Sequence, residues 1–82
     1  MCSALVPERT IDVRHITAPM RHSLIFDTFE RLTPGEGFQI VNDHDPWPLF
    51  SRFHVAHPGE LGWDYREEGP DVWRVRVCRT AL

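Results

Sequence analysis

Eighty-two residues make one small domain, long enough for a single core without covalent staples. A hydrophobic content of 41% with 11% aromatics excludes a disordered chain, and a formal charge of −3 disfavours a general binder of nucleic acid or of anionic membrane surface. All nine basic residues are arginines, which excludes Schiff-base and lysine-nucleophile chemistry.

Residues 1–9 lack periodicity and contain Pro7, which reads as a flexible tail before a single domain over 10–82. Ile11 and Val13 alternate with Asp12 and Arg14, the pattern of a half-buried strand. Thr17-Ala18-Pro19 opens a helix, with Thr17 as candidate cap and Pro19 in the first turn. Leu24, Ile25, Phe29 and Leu32 give that helix its apolar face, and Thr33-Pro34-Gly35 stops it. Phe38 and Ile40 mark a second strand ending near Asn42. The run Asn42-Asp43-His44-Asp45-Pro46 is a turn and a helix start together, with Asp45 as cap and Pro46 at the first helical position. Leu49, Phe50 and Phe53 supply the apolar stripe of the second helix, Trp47 a packing anchor at its start, and Pro58-Gly59 its end. Trp63 and Tyr65 alternate with Asp64 and Arg66 as a third strand; Glu67-Glu68-Gly69-Pro70 is a turn. Trp73, Val75 and Val77 alternate with Arg74, Arg76 and Cys78 as a fourth strand.

The order β-α-β-α-β-β predicts an α+β fold. Crossover helices make strands one and two parallel, and two helices cover only one face of four strands. The expected architecture is a two-layer α/β sandwich: a four-stranded mixed sheet with both helices on one face. Its expected core comprises Ile11, Val13, Leu24, Ile25, Phe29, Leu32, Phe38, Ile40, Leu49, Phe53, Trp63, Tyr65, Trp73 and Val75, with Leu49 and Phe53 against Trp63, Tyr65 or Trp73. The other face carries Arg66, Arg74, Arg76, Asp12 and Asp64 as a charged ladder, with Cys78 beside Arg76.

Ligands of open α/β sheets sit beyond the carboxyl ends of the parallel strands. That rim collects Arg14 and His15 after the first strand, Arg21 and His22 on the first helix, and Asn42, Asp43, His44 and Asp45 after the second strand. Glu67 and Glu68 join it if the third strand also runs parallel. Three readings stand. His22, His44, Asp43, Asp45 and Glu68 form a mixed nitrogen–oxygen metal site for zinc, iron, copper, nickel or manganese. Alternatively, Arg14, Arg21 and Asn42, with helix N–H groups, hold a small ligand or anion. In the third reading the rim is purely structural: Asp43 and Asp45 cap the second helix, Arg14 and Arg21 pair with them, and the histidines bond locally. His54 and His57, three apart, are a weaker candidate ligand pair with no evident third ligand.

Cys2 and Cys78 lie at opposite ends with no CxxC or zinc spacing, so a reducing cytoplasm is the expected home. No apolar run is long enough to span a membrane and no signal-peptide core is present.

Four stretches together resemble the bacterial domain-of-unknown-function family 2249. They are Ile11-Asp12-Val13-Arg14, Arg21-His22-Ser23-Leu24-Ile25-Phe26, Val41 to Leu49 with its Asn-Asp-His-Asp-Pro run, and Glu67-Glu68-Gly69-Pro70 with Trp73. The resemblance covers about Thr10 to Arg79. It implies a fold similar to the small TusA/SirA sulfur carriers, and domains sometimes joined to hemerythrin-like or cupin domains or encoded near respiratory genes for nitrogen oxides. It implies no established activity. The sulfur carriers hold persulfide on a Cys-Pro-x-Pro cysteine at the start of the first helix; here the stretch is Thr17-Ala18-Pro19-Met20, and the cysteine is missing. The expectation is therefore a non-catalytic module that binds a metal ion or small ligand at the rim beside a redox or respiratory protein partner. A pure protein-interaction domain is the alternative, and a sulfur-relay-like protein a weaker one.

Overall fold

The computed structural model describes residues 9–80. Six elements follow the predicted order: β1 (Arg9–Asp12), α1 (Ala18–Glu30), β2 (Gly37–Asn42), α2 (Trp47–Ala56), β3 (Leu61–Glu68) and β4 (Trp73–Arg79). Arg9, assigned above to the tail, opens β1. The rest of that stretch, 1–8 with Cys2, lies outside the described residues.

The sheet order is β1-β2-β4-β3. β1 pairs parallel with β2, while β4 pairs antiparallel with both β2 and β3. Two antiparallel steps bring β3 back to the direction of β1 and β2. The exit turn after Glu68 thus lies at the same edge as the ends of β1 and β2.

Register explains the two faces. Ile11, Ile40, Val75 and Tyr65 align across the four strands, and Phe38, Val77 and Trp63 form the next row. With Val13, Ile25, Phe29 and Phe53 they build one apolar core, ringed by half-buried Leu24, Leu32 and Leu49. Val13 lies one residue past β1, yet its N–H bonds Val41 O at 3.0 Å and its side chain is buried. Val77, left out of the expected core, is fully buried because it continues the Phe38 row.

The opposite face carries the expected ladder. Arg74 pairs with Glu67 at 3.0 Å, Arg66 with Asp64 at 3.2 Å, and Arg76 stands in register with Asp64 and Gln39. On that same face Val41, in register with Arg74, and Cys78 are buried nevertheless.

The helices pack through aromatic rings rather than through aliphatic ridges. His22 stacks on Phe26 (5.1 Å), Phe26 on Phe53 (4.1 Å), and Phe29 meets both Phe53 (4.9 Å) and His57 (4.8 Å). Phe53 therefore contacts α1 rings, where β3 and β4 aromatics were expected. Trp63 is reached instead by Phe50, at 5.5 Å. Trp47 is 52% exposed and stacks only on Phe50, so it is not a core anchor. The α2 helix begins one residue later than expected: Pro46, with a ψ of 26°, lies outside the helical region and sits at the N-cap. Asp45 Oδ1 still accepts the first-turn N–H of Trp47 at 3.1 Å. Thr17 occupies the N-cap of α1 but makes no side-chain cap bond.

The β3–β4 turn depends on Gly69. Its φ of +63° is unfavourable for other residues, and a Cβ there would lie 2.9 Å from the Trp73 ring.

Candidate functional site at the strand-end rim

One guanidinium joins the two loops that follow the parallel strands. Arg21 donates from Nε to Ile16 O (2.6 Å) and from Nη2 to Arg14 O (3.1 Å), which holds the β1–α1 loop. From Nη1 it donates to Asn42 Oδ1 (3.0 Å) and to Asp43 Oδ1 (3.3 Å), which holds the β2–α2 loop. Asn42 is 2% exposed, and its Oδ1 also accepts the Asp43 N–H at 2.8 Å. Asp43 completes the chain through His44 Nδ1 at 2.6 Å. The bonds from His44 and Arg21 hold the Asp43 carboxyl below its ordinary value.

Beside this junction lies a cavity of about 140 Å³ lined by Ala18, Arg21, His22, Asn42, His44, Pro46, Pro48 and Leu49. Both rim histidines reach it, although they are distant in sequence. His22 Nε2 is buried and has no hydrogen-bond partner among the described residues. Burial, with a smaller contribution from Arg52, lowers the His22 pKa, so the ring is neutral at pH 7.

The remaining candidates are engaged elsewhere. Arg14 does not pair with the rim carboxylates: it forks onto Asp12 at 2.9 and 2.6 Å, because the chain turns after β1 and Asp12 Oδ1 also accepts the Arg14 backbone N–H at 3.1 Å. That pair lowers the Asp12 pKa and raises that of Arg14. Asp45 accepts the Tyr65 hydroxyl at 2.6 Å, which ties β3 to the rim; burial first and this bond second raise the Tyr65 pKa. Glu68 is exposed at the end of β3 and joins none of these bonds. Among the described residues, no three His, Cys, Asp or Glu side chains converge to hold a metal ion.

His54 and His57 also diverge. His54 stacks on Phe50, whereas His57 places Nε2 2.7 Å from Glu30 and Nδ1 3.4 Å from Glu60. Glu60 meets Arg79 at 3.4 Å, so this group fastens the end of α2 to α1 and β4. Sequence spacing placed the pair on one helix and gave no signal of the carboxylates waiting on other elements.

A protein-family model described as an uncharacterised conserved protein, DUF2249, matches residues 10–79. The chain belongs to this family. The DUF2249 match spans all six elements except the first residue of β1, and so includes both loops of the rim and the β3–β4 turn. No curated protein and no solved structure matches the chain. No helix among the described residues is long and apolar enough to cross a membrane.

Proposed function

We propose that this DUF2249 chain is a non-catalytic module that binds a small molecule in the cavity between the β1–α1 and β2–α2 loops. The observation that carries the reading is the meeting of Arg21, His22, Asn42 and His44, from two loops distant in sequence, at one cavity. The walls are preformed, since Arg21 already fastens both loops. A small-molecule ligand fits this arrangement better than a metal ion, since no three metal-binding side chains converge among the described residues.

A fragment screen by ¹⁵N-resolved NMR on the full chain tests the reading. Saturable shifts confined to Ala18–His22 and Asn42–Leu49 are expected. The reading fails if no compound produces them. Shifts mapping instead to the shallow groove of Phe26, Ser51, Arg52, Val55 and Ala56 would favour the interaction-domain alternative.

A further inference from the structure

The sheet face away from the helices is charged, yet part of it is covered. Val41 and Cys78 are only 3% and 4% exposed there, and Gln39 and Arg76 between them are half-buried. Both helices pack on the other face, so neither supplies the cover. The cross-strand neighbours of Cys78 do not supply it either. They are Gly37 on β2 and Gly62 on β3, and neither has a side chain. Thr80, two residues on, turns its hydroxyl to Gly59 O at 2.9 Å. Glycines inside strands mark places where another backbone comes close. The row Gly37, Cys78, Gly62 is such a notch, and no described helix or strand lies over it.

One segment of the chain is within reach. Arg9 opens β1 in register with Phe38 and Val77, one row from Gly37 and Cys78 and two strands away. A strand spacing of about 4.8 Å and a rise of about 3.3 Å per residue put Cys78 about 10 Å from Arg9. The chain from Cys2 to Arg9 spans up to about 23 Å when extended. Cys2 is the only other cysteine, and Leu5 and Val6 are apolar enough to cover Val41. We propose that the segment from Cys2 to Glu8 crosses this notch and that Cys2 and Cys78 form a reversible disulfide, a redox latch. The oxidant is a low-molecular-weight disulfide such as oxidised glutathione. Because Cys78 is buried, the Cys2 thiolate attacks the oxidant, forming a mixed disulfide and releasing one glutathione thiol. The Cys78 thiolate then displaces the second glutathione thiol. Two cysteine thiols are oxidised to one S–S bond, and the oxidant leaves with their two electrons and two protons.

The full chain, treated with oxidised glutathione or with dithiothreitol, tests this by mass spectrometry and thermal unfolding. The oxidised monomer is expected to lose two hydrogens by intact mass. Trypsin, which cuts after arginine, should release peptides 1–9 and 77–79 joined as one species. The bond closes nearly the whole chain into a loop, so the oxidised chain should melt at least about 10 °C above the reduced one. Cys2→Ser is expected to lose both the joined peptides and the rise while keeping the Tm of the reduced chain. The latch is overturned if the two peptides never join, or if they join only between chains of a dimer. A stable glutathione adduct on Cys78 in place of the joined species overturns it too, as does a rise in Tm that survives in Cys2→Ser.

Discussion

The α2 helix is held by one fully buried side chain, and Phe53→Ala measures how much that one ring supports. Phe53 is fully buried and is the only buried residue of α2. Truncating a buried Phe costs about 3–5 kcal/mol through lost transfer energy and the cavity left behind. Two ring partners are lost as well, Phe26 at 4.1 Å and Phe29 at 4.9 Å, each pair worth about 0.5–1.5 kcal/mol beyond area. A loss of about 4–5 kcal/mol is therefore expected. At about 0.05–0.15 kcal/mol per residue, a chain this size holds only about 4–12 kcal/mol in total. Equilibrium urea unfolding followed by far-UV circular dichroism is the assay. With an m-value of about 1–2 kcal/mol/M, the midpoint falls by at least about 2 M. The exposed residue on the same helix, Val55→Ala, stays within about 0.5 kcal/mol. A Phe53→Ala loss below about 2 kcal/mol, with helicity retained, would refute the claim that this aromatic contact fixes α2 and with it the Pro46–Leu49 wall of the cavity.

Gly69→Ala combines a positive φ with a Cβ 2.9 Å from the Trp73 ring, so it is expected to cost at least about 1 kcal/mol in thermal or urea unfolding; an unchanged Tm would count against the turn as described. The His22 pKa is lower folded than unfolded, so the unfolded chain takes up this proton first and stability falls as pH drops through about 6.5; Tm measured against pH should show a shallower fall there in His22→Phe, and identical slopes would contradict the burial of the ring. Asp43 has the opposite charge type but the same direction: its pKa is held low, its stabilisation is present above the ordinary carboxylate range, and Asp43→Asn should flatten the acid limb of the same profile. Calorimetric titration with zinc is expected to give no isotherm that depends on both His22 and His44; one lost in each alanine variant would restore the metal reading. Incubation with a persulfide donor should leave Cys78 unlabelled by mass spectrometry, since it is buried; transfer from Cys78 to an acceptor would revive a sulfur-relay role.

Much of the architecture was legible in local pattern. Alternation in Ile11–Arg14 and Trp73–Cys78, the helical spacing of Leu24 to Leu32, and the prolines and glycines between elements set the order β-α-β-α-β-β, because each depends on neighbours within a few residues. The two crossovers then required helices on one face. The rim was also legible as a place: strand ends and helix starts converge there whatever the side chains are. Which side chains meet was not. Arg14 and Arg21 look alike in sequence, yet one is captured by Asp12 on its own strand and the other reaches across to Asn42 and Asp43. Asp45 was expected only at a helix start, and its bond to Tyr65 depends on β3 returning parallel through two antiparallel pairings. The histidines diverge for the same reason. A ring nitrogen bonds whatever lies within about 3 Å, and at that range the partners come from other elements: Glu30 for His57, and for His22 Nε2 none among the described residues. Periodicity is a property of the chain and fixes which face each residue takes. Pairing is a property of the packed molecule, decided by register, strand direction and the volume of rings such as Phe53, and it alone brought Arg21, His22, Asn42 and His44 to the wall of one cavity.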